Sequence, residues 1–283
     1  MFKKESLYIN IFKNDTQLKM EYRKFSNNLI LETTNSNFIC KDDILPVDIA
    51  QKLNSSQEEI DFTYISTLLL SDTTSLVPKE LSSKLKDCEI AKFNYEYDIA
   101  VLKTTLFETK NFFVKTGIDY IYSAFHILNL HVEKNICKNE FLALIVNDKA
   151  YILILNSSGI IVDNKIVDLP TYQSVKSTHF YDDDLEAQKL FNEIYYFELN
   201  SIIQNGLSEF YGKHKNTFIE KVTLLYTQKQ LDNSEIEKLS TDLFLKVDYT
   251  PINIDEEIFE LARDTKNQKS FVPPRKKRVK RDF

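Results

Sequence analysis

The sequence contains one β-rich pattern twice, and this repetition constrains the fold more than any other feature. Near the amino terminus, residues 7–12 form an apolar run that Asn14-Asp15 interrupts before two more strand-like segments. The same order returns over residues 141–167, with Asn147-Asp148 at the first interruption. Asn and Asp tolerate the backbone of tight hairpin turns, so each stretch predicts a meander of three strands.

Helices and strands alternate after each meander. In the second half, a long helix is predicted after Asp184, because apolar residues recur every three to four positions up to Phe210. Gly206 lies within this stripe and predicts close packing against a neighbouring element, since glycine inside a helix is otherwise unfavourable. The pattern predicts an α/β protein of two related lobes, at residues 1–135 and 136–266, followed by a tail at 267–283.

Composition restricts the class of protein further. Hydrophobic residues make up 43% and charged residues 28% of the chain, which is typical of a globular protein. No apolar run reaches the length of about 18 residues that spans a bilayer, and the N-terminus lacks a signal-peptide cleavage pattern. Cys40, Cys88 and Cys137 have neither disulfide nor zinc-site spacing. These features favour a cytoplasmic protein.

Duplicated lobes of this order are characteristic of the actin-like ATPase fold. The second half resembles, more specifically, the PilM/GspL-type scaffold proteins of type IV pili and type II secretion systems. The resemblance lies in the aromatic pair Phe210-Tyr211 at the end of the long helix and in the strand carrying Ile219, Lys221, Val222 and Leu224. A helix over 235–244 and a short strand over 245–249 follow in the same order.

The resemblance implies a two-lobed, actin-like α/β fold and a scaffold role beside the bacterial inner membrane. It implies docking of a short N-terminal peptide of a PilN-like single-pass membrane protein, with a homo-oligomeric ring as one arrangement. The machine is a type IV pilus, a type II secretion or DNA-uptake system, or a flagellar motor that uses the same scaffold. The sequence does not choose among them.

The chain departs from the nucleotide-binding members of this fold in three loops. The strand over 218–227 runs into Thr227-Gln228-Lys229-Gln230, where such proteins place a Gly-Gly turn against the adenosine. The two hairpin turns also lack glycine, which allows backbone to approach a phosphate closely. We therefore expect no catalytic residues, no nucleotide or other cofactor and no metal. The alternative is an active actin-like ATPase or a sugar or metabolite kinase with divergent loops.

The tail differs sharply in composition from the rest of the chain. Pro273-Pro274 precedes a cluster of six basic residues: Arg275, Lys276, Lys277, Arg278, Lys280 and Arg281. We expect this cluster to bind an anionic membrane surface, where each basic residue gains about 1 kcal/mol. A solvated tail without a role and a nuclear localisation signal are alternatives. A nucleic-acid partner is a weaker alternative, which steep salt dependence of binding would reveal.

Two further groups of residues were candidates for metal binding. Asp182-Asp183-Asp184 could hold a divalent cation, but a helix N-terminal cap is the preferred interpretation because the spacing of a calcium loop is missing. His126 and His131 are five residues apart rather than four, so a structural role is expected for both.

Overall fold

The computed structural model describes residues 5–14, 16–27, 29–60, 62–179, 184–215 and 217–264. The chain divides into two compact units. Unit 1 contains the residues up to Ile127 and the helix that follows Ile254, and unit 2 extends from Leu128 to Ile254.

The elements of unit 1 begin with the predicted meander and continue as alternating strands and helices. In chain order they are β1 (Glu5–Asn14), β2 (Gln17–Ser26), β3 (Leu29–Ile39), α1 (Val47–Glu59), β4 (Phe62–Leu69), β5 (Thr74–Pro78), α2 (Lys79–Ser82), β6 (Cys88–Lys92), β7 (Tyr97–Leu102), α3 (Lys103–Phe112), β8 (Tyr120–Ser123) and the start of α4 (Ala124–Lys134).

Within the described residues, the main sheet of unit 1 has five strands in the order β3-β2-β1-β4-β8. Strand β2 is antiparallel to both of its neighbours, whereas β1, β4 and β8 are mutually parallel. Alternate residues of β1 and β2, among them Ile9, Ile11 and Met20, are fully buried on one face of the sheet. Helix α1 contributes Ile49 and Leu53 to the same core. The period of two in the strands thus places one face against a helix.

A second, three-stranded sheet of order β5-β7-β6 interrupts unit 1 between β4 and β8. Strand β7 was predicted at residues 97–103, but β5 and β6 were not predicted. Each of these two strands has five residues and pairs only with β7 among the described residues. Such short runs do not show a periodicity that distinguishes them from loops.

The elements of unit 2 repeat this order. After the end of α4 they are β9 (Glu140–Val146), β10 (Lys149–Leu155), β11 (Ile161–Asp168), α5 (Tyr172–His179), α6 (Asp184–Lys213), β12 (Lys221–Tyr226), α7 (Asn233–Leu243) and β13 (Lys246–Pro251). The last helix, α8 (Ile254–Arg263), then follows. Helix α5 was not predicted, whereas the meander, α6, β12 and α7 confirm the sequence prediction.

The sheet of unit 2 has the order β11-β10-β9-β12-β13 in the described part of the chain. Strand β10 is antiparallel to both neighbours, and β9, β12 and β13 are parallel, which matches unit 1 strand for strand. Every residue of β9 is buried, as expected for a strand in the middle of a covered sheet. The same five-stranded unit occurring twice is the topology of the actin-like fold, and the protein has this fold.

The observed division differs from the predicted lobes at 1–135 and 136–266. The boundary lies within α4, and α8 belongs to unit 1 rather than to unit 2. Asp255 at the start of α8 accepts a hydrogen bond from Asn10 Nδ2 at 2.6 Å and forms an ion pair with Lys19. Further along α8, Phe259 lies under the guanidinium of Arg23. These contacts join residues more than 230 positions apart, so the order of elements along the chain could not reveal them.

Candidate functional site

The carboxyl ends of the parallel strands are where open α/β sheets bind ligands, and the nucleotide loops of actin-like proteins lie there. In unit 2, β12 ends at Tyr226 and α7 begins at Asn233. The segment between them is the β12–α7 loop, which contains the predicted departure Thr227-Gln228-Lys229-Gln230.

Backbone N–H groups of this loop donate hydrogen bonds to other residues of unit 2. The hydroxyl of Tyr249, on β13, accepts hydrogen bonds from the backbone N–H of Gln230 at 3.0 Å and of Leu231 at 3.5 Å. The backbone N–H of Thr227 donates to the carbonyl of Ile145, on β9, at 3.3 Å. Three loop amides are therefore satisfied within unit 2 and are not directed at a ligand.

An aromatic pair supports this arrangement. The rings of Tyr226 and Tyr249 stack with centroids 4.0 Å apart and an angle of 24° between their planes. Burial raises the pKa of Tyr249, and the N–H groups of Gln230 and Leu231 oppose this rise only in part. The hydroxyl thus stays neutral in the pH range of most cells and keeps its proton while it accepts from the loop.

The N-terminus of α7 is capped by side chains of the protein itself. The carboxylate of Asp232 accepts from the backbone N–H of Glu235 at 2.9 Å, and the carboxylate of Glu235 accepts from the backbone N–H of Asp232 at 2.7 Å. The bond from the backbone of Glu235, followed by that from the Ser234 hydroxyl, lowers the pKa of Asp232. This reciprocal capping box places an anion of the protein at the helix end that would otherwise attract a phosphate.

Both hairpin turns are short. Val146 pairs with Lys149, so the β9–β10 turn consists of Asn147 and Asp148, with Asn147 at φ 55°. The carbonyl of Asp148 accepts from the backbone N–H of Leu169 at 2.6 Å, which ties the turn to the end of β11. In unit 1, Asn14 pairs with Gln17, and Asp15 of that turn lies outside the described residues.

The structure describes the contacts of two further candidate residues, Asp184 and His126. Asp184 begins α6, forms an ion pair with Lys176 and accepts a hydrogen bond from the Tyr172 hydroxyl at 2.9 Å, so it links α5 to α6. The Lys176 ammonium, and secondly the Tyr172 hydroxyl, lowers its pKa. His126 is buried, and its Nδ1 accepts from the backbone N–H of Ser123 at 3.0 Å. Within the described ranges, no three His, Cys, Asp or Glu side chains form a ligand set for a metal ion.

Several predicted residues cannot be placed. Asp182, Asp183 and the six basic residues Arg275, Lys276, Lys277, Arg278, Lys280 and Arg281 lie outside the described residues. In the part of the chain that is described, no helix is long and apolar enough to cross a membrane.

Comparison with known proteins gives two family matches and several structural similarities. Two models described as domains of unknown function match this chain, DUF8569 over residues 4–129 and DUF8341 over residues 162–267. No curated protein sequence matches it.

Three solved structures illustrate the similarity in fold. The ethanolamine utilization protein EutJ of Carboxydothermus hydrogenoformans is 8% identical, with a TM-score of 0.48 over 86% of this chain and 84% of that one. A ROK family protein of Streptococcus pneumoniae, in complex with sucrose, is 11% identical, with a TM-score of 0.45 over 89% and 95%. A Bacteroides thetaiotaomicron protein with actin-like ATPase fold and unknown function is also 11% identical, with a TM-score of 0.44 over 90% and 96%. The fold assignment rests on the strand order and directions described above.

Sequence reasoning identified the altered loop but missed the residue that closes it. Tyr249 was treated as the end of a short strand, and Tyr226 as part of another. The sequence does contain a clue, because each of two predicted strands has a tyrosine near its end. If the two strands were parallel neighbours in a sheet, these tyrosines would lie close together. Because β12 and β13 do pair in parallel, the two rings meet beside the loop.

Proposed function

We propose that the protein is a non-catalytic, actin-like scaffold of a bacterial envelope-spanning machine. It acts at the cytoplasmic side of the inner membrane and recruits a PilN-like single-pass membrane protein by that protein's short N-terminal peptide. The type IV pilus, the type II secretion system and the flagellar motor are all machines of this class.

The observation that carries the proposal is the closed β12–α7 loop. Nucleotide-binding proteins of this fold need backbone that approaches the adenosine and phosphates closely. Here the hydroxyl of Tyr249 occupies the amides of Gln230 and Leu231, and Asp232 caps the following helix. An adenosine bound against this loop would have to displace the Tyr249 hydroxyl from these amides, which would leave polar groups without their partners. An actin-like fold that does not bind nucleotide is suited to binding other proteins as a scaffold.

The remaining support comes from the tail and from the resemblance to PilM/GspL-type proteins. A basic cluster in the sequence of a chain with net negative charge is suited to an anionic membrane surface. The same location would bring the scaffold near the cytoplasmic segments of single-pass membrane proteins.

Two measurements on the full chain test the proposal. Isothermal titration calorimetry with Mg-ATP should give no heat of binding at micromolar concentrations, and a micromolar Kd would refute the non-catalytic role. Fluorescence anisotropy with the N-terminal peptides of single-pass membrane proteins encoded beside this gene should identify one that binds. A scrambled version of that peptide is the control. If no such peptide binds while nucleotide binding is also absent, the recruitment role is wrong although the loss of ATP binding stands.

A further inference from the structure

Strand β3 presents an outer edge that is open in the described structure. Ten of its eleven residues pair with β2 on one side, and no other described strand pairs with β3. The side chains of Leu29, Ile30, Leu31 and Ile39 are 71%, 53%, 56% and 77% exposed. An exposed, apolar edge of this length is a template for pairing with another strand.

The equivalent edge of unit 2 carries charged side chains that oppose pairing with a strand of another chain. Strand β11 has the same place in the same topology, yet its charged side chains are all held in ion pairs. Lys149 pairs with Asp168 at 2.5 Å, Lys165 with Glu209 at 3.2 Å, and Lys213 with Asp163 at 2.9 Å. Charges along an edge strand prevent it from pairing with another chain. Glu32 is the single charged residue of β3, which also lacks lysine and proline.

We propose that β3 pairs antiparallel with β3 of a second copy of this chain, about a two-fold axis near Thr34. The distribution of side chains along the strand argues for this occupant. Apolar residues lie at both ends, 29–31 and 38–39, and polar residues fill the centre, 32–37. An antiparallel pair therefore places the apolar end of one copy beside the apolar end of the other.

The register of β3 shows which residues would face each other in this antiparallel pair. The pairing of β3 with β2 shifts at Leu31, which has no direct partner. On the regular side of this shift, Glu32 of one copy faces Ser36 of the other, and Thr34 faces Thr34. Beyond the shift, Leu29 of one copy comes level with Phe38 of the other. Both side chains lie on the same face of the sheet, because their partners on β2, Ser26 and Leu18, are separated by an even number of residues.

Charge selects the antiparallel over the parallel arrangement. A parallel, in-register pair would bring the two Glu32 carboxylates together, and like charges directly opposite each other are destabilising. In the antiparallel arrangement, each Glu32 lies beside a neutral serine. A two-fold contact uses the same surface on both copies and closes on itself, so it gives a dimer and not a ring or a filament. This dimer does not depend on the absence of nucleotide binding.

Analytical ultracentrifugation of the full chain at micromolar concentrations tests the proposal. The wild type should sediment as a dimer, and the double variant Leu29→Lys/Ile39→Lys should sediment as a monomer with an unchanged circular dichroism spectrum. A wild type that stays monomeric over this range overturns the proposal, and so does a double variant that still forms a dimer.

Cross-linking distinguishes this surface from any other dimer contact and remains decisive if the double variant fails to fold. Cys40 and Cys137 are buried, so Thr34→Cys is made in a Cys88→Ser background and treated with a short bismaleimide. We expect a covalent dimer in high yield, because Thr34 faces itself across the axis. Lys165→Cys on β11, in the same background, is the matched control and should stay monomeric. Equal yields from both positions, or no dimer from Thr34→Cys, overturn the proposal. If Thr34→Cys gives no covalent dimer, the partner of β3 would have to be a strand of a different protein.

Discussion

Gly206 on α6 lies directly against the ring of Phe141 on β9. A Cβ atom at Gly206 would be 2.9 Å from Cε2 of that ring, closer than such atoms approach in folded proteins. Phe141 is completely buried, so its ring cannot move away without disturbing the core of unit 2. The glycine therefore allows a long helix to pack closely on the central strand of the sheet.

We expect Gly206→Ala to lower the melting temperature. The substitution gains up to about 1 kcal/mol of helix propensity, but overpacking a well-packed core costs about 1–3 kcal/mol. Thermal unfolding followed by circular dichroism checks this result. An unchanged or raised melting temperature would show that the contact with Phe141 is easily relieved.

Gly212→Ala is the matched control on the same helix. A Cβ at Gly212 would have no neighbour within 4 Å, so only the helix propensity changes. We expect this variant to be more stable than the wild type by up to about 1 kcal/mol, since it lies near the helix end. Opposite signs for the two glycines would separate packing from propensity.

Tyr249→Phe should destabilise unit 2, because the β12–α7 loop loses the acceptor for the amides of Gln230 and Leu231. The expected loss in the free energy of unfolding is about 1–3 kcal/mol, the cost of leaving partly buried donors without a partner. Urea unfolding measures it. Tyr226→Phe is the control, because it preserves the stacked ring and leaves in place the Tyr249 hydroxyl, which accepts from the loop amides. Equal effects of the two variants would mean that the hydroxyl of Tyr249 does not hold the loop.

The thiol of Cys137 should react slowly with iodoacetamide in the native protein. Burial, followed by the nearby carboxylate of Glu140, raises its pKa from 9.0 to about 11. Little thiolate is then present near neutral pH, and the thiolate is the reactive form. Mass spectrometry should find Cys88, which is partly exposed, alkylated well before Cys137. Rapid labelling of Cys137 without urea would contradict its burial.

The same shift predicts a loss of stability in alkaline solution. The folded state disfavours the thiolate of Cys137. The contribution of the protonated thiol to stability is therefore complete below pH 9 and is lost as the pH rises toward 11. The difference in urea midpoint between the wild type and Cys137→Ala should therefore change in this range and stay constant below it. A constant difference throughout would show that Cys137 ionises equally in both states.

The basic tail should bind vesicles that contain anionic lipid, weakly and with strong sensitivity to salt. Replacing Arg275, Lys276, Lys277, Arg278, Lys280 and Arg281 with serine should abolish binding in a sedimentation assay and leave the melting temperature unchanged. Lys276→Arg/Lys277→Arg/Lys280→Arg keeps the charge and should bind as the wild type does. If the serine variant still binds, the membrane contact lies elsewhere. If it melts earlier, the tail stabilises the folded protein.

Much of the secondary structure was predictable because it depends on local patterns. The two apolar runs on either side of Asn147-Asp148 predict the hairpin of β9 and β10, and the apolar stripe ending at Phe210 predicts α6. The repetition of the meander in both halves predicts two related α/β lobes, and the resemblance to actin-like proteins implies their fold. The missing glycines between Thr227 and Gln230 were also visible, since each residue type limits its own backbone.

The tertiary structure alone decided which distant residues meet. The pairing of Asn10 with Asp255 assigns α8 to unit 1, and the alignment of β12 beside β13 brings Tyr249 to the amides of the β12–α7 loop. The position of β3 at the edge of its sheet likewise follows from the order in which the strands assemble, which the sequence of β3 does not specify. A sequence determines what each segment can form through short-range sterics and periodicity. Contacts between segments depend on how whole elements pack, and no local pattern encodes that choice.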